Sequence, residues 1–295
     1  MSINFVSGSE LLSLCNKNQI KIYEMMLVRE VHITQSSKDR IIAEMKESLE
    51  VMKRAVEKGL TEDIRSISGL TGGDAKRLRN YYEKGQTVAG ENMNKAVAAA
   101  MAVLEVNGAM GQIVAAPTAG SSGILPGSII TTAARFGKTD EDIVNALFTA
   151  SAIGYLITRN ATVSGAEGGC QAETGAASAM AAAAIVEMLG GTPEQALNAA
   201  AMTMKNIMGL VCDPIAGLVE APCIKRNAIG TANALISADM ALAGIKSIIP
   251  FDEVVEAMLK VGRALPCELR ETGTGGLAGT ATGKQIYEQV FGKAF

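Results

Sequence analysis

Tryptophan is absent from this chain of 295 residues, aromatic residues make up only 4% of it, and there is a single histidine, His32. So few aromatics, and no long alternating apolar run, argue against a β-sandwich. The lone histidine removes the side chain that most acid–base chemistry near neutral pH prefers. Its setting, Glu30-Val31-His32-Ile33-Thr34, suits a surface or satisfied polar residue better than a catalytic base. No basic block is present and the net charge is −3, which excludes charge-driven binding to nucleic acid or to an anionic membrane. The uncharged stretch 109–134 is broken by Pro117 and Pro126, so a membrane-spanning helix is not expected there. The N-terminus lacks a basic segment followed by an apolar core, and a soluble, cytoplasmic protein is the expectation. A reducing compartment makes a disulfide framework a poor reading of the five cysteines.

What is present is aliphatic and small. Hydrophobic residues reach 48%, charged residues only 19%, and there are 15 Met together with long Ala runs. That composition can bury a sizeable core, and it favours helices packed closely through small side chains with Met filling gaps. The apolar spacing predicts helices over 9–29 (interrupted near Asn16), 38–60, 91–110, from about Leu125, and over 140–159, 173–189, 193–208, 227–243 and 252–263. Thr139 and Thr192 are N-cap signals, the second followed by Pro193, and Gly190-Gly191 stops a helix. Short strand-like pieces are confined to 112–115 and 246–249. The expected fold is all-α, one helical domain over 1–295, with the more polar part up to about Thr87 as a possible sub-layer.

Three stretches carry chemistry. The first is Glu167-Gly168-Gly169-Cys170-Gln171-Ala172-Glu173, and the second runs from Cys212-Asp213-Pro214 to Pro222-Cys223. Forty-two residues separate Cys170 from Cys212 and 11 separate Cys212 from Cys223, which fits neither a zinc ribbon nor a ferredoxin run. Taken singly, each thiol reads as a small buried hydrophobe. Taken together, in loop-like sequence between Ala-rich helices, Cys170, Cys212 and Cys223 are candidate metal ligands. Cys15 and Cys267 have no motif around them and read as core.

The third stretch is Ala116-Pro117-Thr118-Ala119-Gly120-Ser121-Ser122-Gly123. Its hydroxyls, and main-chain N–H groups turned outward at Gly120 and Gly123, would suit a small carboxylate; a structural Ser/Gly turn fits the composition equally well. Near the C-terminus, Arg270-Glu271-Thr272-Gly273 offers an arginine either as a carboxylate clamp or as the ion-pair partner of Glu271. The glycines of 68–77 lack phosphate-loop spacing.

These stretches together resemble the α chain of bacterial iron–sulfur L-serine dehydratase, over most of the chain from about Ser68 onward. The resemblance implies an oxygen-sensitive 4Fe-4S cluster on Cys170, Cys212 and Cys223, with no pyridoxal phosphate. It implies conversion of L-serine to pyruvate and ammonia, with the substrate gripped by Thr118, Gly120, Ser121, Ser122, Gly123 and Arg270. In single-chain members a β-type region carries a Ser-Ser-His-Thr-like motif with a catalytic histidine. Nothing of the kind occurs here, so the catalytic base is expected on a separate β chain. Those members also end in a cysteine able to occupy the open iron, whereas this chain ends Gly292-Lys293-Ala294-Phe295, and self-ligation is not expected. Three other readings fit parts of the sequence: a pyridoxal-phosphate enzyme on Lys205, a cysteine desulfidase on the same thiols, and a non-catalytic helical accessory subunit.

Overall fold

A computed structural model describes residues 4–292; the C-terminal residues 293–295, on which the expectation about self-ligation rests, lie outside the described residues. Among these, thirteen α-helices and no strands are found. The helices are α1 (Gly8–Asn18), α2 (Ile22–Thr34), α3 (Lys38–Thr61), α4 (Asp74–Tyr82), α5 (Glu91–Gly108), α6 (Ile124–Arg135) and α7 (Asp140–Asn160). They continue with α8 (Gly165–Gly168), α9 (Ala176–Met188), α10 (Pro193–Asn206), α11 (Cys223–Leu242), α12 (Phe251–Ala264) and α13 (Ala281–Phe291). The all-α expectation holds, and none of these helices is long and apolar enough to cross a membrane.

The architecture is built around α9. Every one of its 13 residues is buried, and α6, α7, α10 and α11 pack against it. Eight of its positions are alanine or serine, and small side chains let helix axes approach without leaving voids. Gly230 of α11 shows how close this approach is: a Cβ there would lie 2.9 Å from Thr174 Cγ2 and 3.0 Å from Ser178 Oγ. Ser178 Oγ donates to the Gly230 carbonyl at 2.9 Å. One continuous core runs from Phe5, Leu11 and Met25 through Phe148 and Ile153 to Met258, so the N-terminal helices share it.

Helix boundaries follow local chemistry. Thr139 and Thr192 cap α7 and α10 through capping boxes, with Pro193 at the start of α10, as their sequences predict. The interruption expected near Asn16 falls at Gln19, in the left-handed region (φ 53°). Two elements differ from expectation. The helix expected from Glu173 is preceded by a turn of π-helix over Gln171–Gly175. The helix expected from Asn227 begins four residues earlier, at Cys223, so Cys223 opens a helix rather than sitting in a loop. α13 has no counterpart among the expected helices, because its apolar stripe is short and interleaved with glycine and glutamine.

Buried carboxylates join helices that are distant in sequence. Glu187 of α9 accepts from Ile22 N at 2.7 Å and Tyr23 N at 3.0 Å, at the open start of α2, and from Thr149 Oγ1. Glu105 of α5 accepts from Gly73 N at 3.1 Å and Asp74 N at 2.7 Å, at the start of α4. Each anion satisfies orphan N–H groups and meets the positive end of a helix dipole. Glu187→Ala is therefore expected to destabilise the fold by about 3 kcal/mol, because orphaned buried donors cost ~1–3 kcal/mol each. A urea titration monitored by circular dichroism checks this, with Glu187→Gln expected to lose less.

Candidate functional site

The π-turn Gln171–Gly175 decides where the site lies. π-bulges recur where a helix must aim side chains irregularly, often at functional sites. Here the turn places Cys170 at its start and sends Glu173 toward the loop of Thr118. Cys170 is 5% exposed and its Sγ lies 3.1 Å from Thr174 Oγ1. Gly169, at φ 74°, makes the bend that brings Cys170 in, and a Cβ there would strike Leu265 and the carbonyl of Leu210.

Cys212 arrives on an extended segment held by an isolated parallel bridge to Arg270. Its N–H donates to Leu269 O at 2.8 Å, and Glu271 N donates to Cys212 O at 2.7 Å. The thiol is 4% exposed. Cys223, partly buried, follows the cis peptide Ala221-Pro222 at the first residue of α11. The three thiols are close enough to act on one another electrostatically. Burial pushes Cys223 up to about 12, and the charges of Cys170 and Glu173 add to that. Burial also raises Cys212, helped by Glu173, Cys170, Glu271 and Cys223. It raises Cys170 too, against the opposing pull of Thr174 and Arg226.

The centre of the site is the point over Gly165, where three side chains close in so tightly that not even a methyl group would fit. A Cβ on that residue would lie 2.7 Å from Glu173 Oε2, 2.9 Å from Cys212 Sγ and 3.0 Å from Glu271 Oε2. Two carboxylates and a thiol thus converge where the chain carries no side chain. Glu173 Oε1 accepts from Thr118 Oγ1 at 2.6 Å, and Gly120 leaves room beside it, since a Cβ there would come within 3.0 Å of Oε1. Burial is the main influence raising the Glu173 pKa, with Glu271 adding to it and the Thr118 bond opposing it.

The Thr118–Gly123 loop does two jobs. Thr118 and Gly120 face Glu173. Ser121 and Ser122 are fully buried, and their hydroxyls donate to Ala116 O and Ala119 O. The N–H of Gly123 donates to Asn227 Oδ1 at 3.1 Å, so it turns inward, not outward as the composition suggested. The inward turn follows from packing: Gly123 lies directly against the backbone of Ala100 in α5.

Arg270 and Glu271 do not form the ion pair their sequence suggested. Glu271 Oε2 reaches the point over Gly165, while Arg270 Nε is buried and has no hydrogen-bond partner among the described residues. Cys267 is exposed, not core; the bridge to Cys212 engages Leu269 and Glu271 and leaves the preceding turn outside. Cys15 is buried in the core, and His32 is exposed. Lys205 donates from Nζ to the Ser247 carbonyl, and none of its contacts reaches the thiols.

Several residues of the site gave no signal in the sequence. Glu173 stood in a quoted motif but read as the start of a helix. Arg226 and Asn227 lay in an ordinary helical stretch. Arg226 donates to Val211 O at 2.8 Å and to Asp213 Oδ1 at 2.7 Å. Asn227, fully buried, donates to Gly120 O at 2.7 Å and to Cys223 O at 2.9 Å.

Whether these residues fit an iron–sulfur cluster can be tested on the donor set. Three mutually opposed thiols, two buried and one partly buried, resist losing their protons unless positive charge is brought to them, and metal coordination supplies that charge. Among the described residues no three His, Cys, Asp or Glu side chains are placed to hold a single metal ion. A cluster makes no such demand, because each thiolate binds a different iron. Three thiols on three separate chain segments suit that requirement, and the donor set fits. A cavity of about 320 Å³ lies elsewhere, between Arg135, Leu189 and Asp239, and shares no residue with the thiols.

Comparison with known proteins gives the family. The family model described as serine dehydratase alpha chain matches residues 17–278. A probable L-serine dehydratase, alpha chain, of Bacillus subtilis is 52% identical over 290 residues, covering 98% of this chain and 96% of that protein. The L-serine dehydratase, alpha chain, of Peptoniphilus asaccharolyticus is 50% identical over 280 residues, covering 95% and 96%. An L-serine dehydratase of Streptomyces coelicolor is 38% identical over 283 residues, covering 93% of this chain but 60% of that protein.

Proposed function

Because the chain belongs to the serine dehydratase α-chain family, we propose that it is an iron–sulfur-dependent L-serine ammonia-lyase, eliminating water from L-serine to give pyruvate and ammonia. The observation that carries this reading is the convergence of Cys212, Glu173 and Glu271 on the point over Gly165, with Cys170 and Cys223 alongside. Cys170, Cys212 and Cys223 hold a 4Fe-4S cluster in this reading. When bound, such a cluster, with three protein thiolates and one open iron, supplies Lewis acidity toward the substrate hydroxyl.

The protein's own residues do the positioning. The serine ammonium is a cation, and Glu173 and Glu271 present two carboxylates to one point. Thr118 holds Glu173 from behind through its hydroxyl, and Gly120 keeps the approach open. Arg270 supplies the positive charge for the serine carboxylate, a role suited to a guanidinium whose buried Nε has no hydrogen-bond partner among the described residues. Ser121, Ser122 and Gly123 hold the shape of the loop. Placing the Cα–H and the hydroxyl in fixed directions converts a diffusional encounter into an effectively intramolecular reaction.

The base that removes the Cα proton belongs, in this reading, to a partner β chain. Support comes from the S. coelicolor relative, of whose length this chain accounts for only 60%. Anaerobic reconstitution with iron and sulfide tests the proposal. It is expected to load roughly one four-iron cluster per chain and, with the partner chain added, to give pyruvate from L-serine in preference to L-cysteine. A chain that takes up no iron, or a loaded one that acts on cysteine alone, would overturn it.

A further inference from the structure

We propose that the consecutive residues Arg226 and Asn227, on the first turn of α11, divide the positioning of this site: Arg226 sets the thiols, and Asn227 sets the substrate loop. The inference rests on the reading that the three thiols carry a cluster. α11 begins at Cys223, so residues three and four further on stand over it on the same helix face.

Arg226 grips both neighbours of Cys212. Nη1 donates to the carbonyl of Val211 and Nη2 to the carboxylate of Asp213. The ion pair is deeply placed, with side-chain exposures of 11% and 4%. The second oxygen of Asp213 accepts from Leu277 N at 2.7 Å, tying the same anchor to the C-terminal segment. The planar fork thereby fixes the distance between the segment of Cys212 and the helix of Cys223. Its charge also acts on Cys170, so one guanidinium reaches the surroundings of all three thiols. A buried ion pair is an expensive way to gain stability alone, but it specifies geometry.

Asn227 works on the other loop. Its amide donates to Gly120 O and Cys223 O while its oxygen accepts from Gly123 N. The side chain is fully buried and spans Gly120 to Gly123, anchoring that loop to the turn that carries Cys223. Neither residue needs to touch substrate; both are positioning residues, and the one-residue step between them sets the register of substrate loop against thiols.

The test uses the full chain reconstituted anaerobically with iron and sulfide, with its partner chain for kinetics, comparing wild type with Arg226→Met, Arg226→Lys, Asn227→Ala and Asn227→Asp. Circular dichroism confirms folding, and the conservative Lys and Asp variants guard against loss of it. Iron and sulfide per chain, the reduction potential of the cluster and the KM for L-serine are measured. Arg226→Met is expected to hold half the iron or less, and its remaining cluster to shift to a lower potential because a cation beside it is gone. Arg226→Lys restores the charge without the fork, so its potential returns toward wild type while iron retention stays intermediate. Asn227→Asp and Asn227→Ala are expected to keep full iron and an unchanged potential, with KM raised about tenfold or more as loop hydrogen bonds are lost. Iron and KM changing in parallel in all four variants, or in none, would overturn the division of labour. A wild-type chain that takes up no cluster would overturn the proposed function as well, which separates the two failures.

Discussion

Cys212→Ser is expected to leave the chain folded, nearly iron-free after anaerobic reconstitution, and slower in pyruvate formation by about 1000-fold or more. The magnitude follows because metal activation of a leaving group contributes several kcal/mol and each ~1.4 kcal/mol is tenfold in rate. Cys212 is chosen over the other two thiols for its place in the site. It is the thiol that meets Glu173 and Glu271 over Gly165, and its backbone is clamped on both sides by Leu269 and Glu271. Serine keeps the size and the backbone bonds, so a loss reports on sulfur and not on packing. Iron analysis, absorption spectra and a lactate-dehydrogenase-coupled pyruvate assay measure the three consequences. Full iron content and full activity in this variant would remove Cys212 from the ligands and overturn the assignment of the three thiols to one cluster.

Glu173→Gln is expected to lower kcat/KM for L-serine by about 100-fold while iron content stays at the wild-type level, since losing a charge-assisted contact in a buried setting is worth roughly 2–3 kcal/mol. The amide is nearly isosteric and can still accept from Thr118 Oγ1, so the loop of Thr118 keeps its partner. What disappears is the negative charge that, with Glu271, faces the point over Gly165. The loss is expected chiefly in KM, because the ammonium is held in the ground state as well as during reaction. Steady-state kinetics with L-serine, beside iron determination on the same samples, measure both quantities. Wild-type kinetics would show that Glu173 only braces the loop, and lost iron would show that it braces the thiols.

The two variants differ in how much of their rationale was legible beforehand. Cys170, Cys212 and Cys223 stood out in the local sequence as candidate ligands, because a cysteine close to glycine or proline between alanine-rich helices is an unusual context. Glu173 was visible as a residue but not as a participant, since helical periodicity from that point predicts an ordinary first turn. The π-turn that redirects it arises from packing, where Gln171 bonds outward to Met258 O and Gly209 N. Arg270 and Glu271 misled in the opposite way: adjacency in sequence suggested an ion pair, and the bridge to Cys212 sends the two side chains to different partners. Arg226 and Asn227 were illegible altogether, because Lys225-Arg226-Asn227 reads as the solvated edge of a helix, and their partners lie at Val211 and Asp213 and, more than a hundred residues away, at Gly120 and Gly123.

By itself the sequence determined the class of the fold, most helix positions and their caps, and which three cysteines are candidate ligands. Those properties are local: composition, a 3.6-residue period and capping chemistry act within a few residues. Only the tertiary structure decided which groups meet. The side chains meet over Gly165 because α8, the π-turn and the segments of Cys212 and Glu271 are packed to one point, and the loop of Thr118 reaches it because Asn227 holds that loop to Cys223. Such meetings depend on how buried helices close-pack around α9, a property of the whole chain that no single stretch encodes.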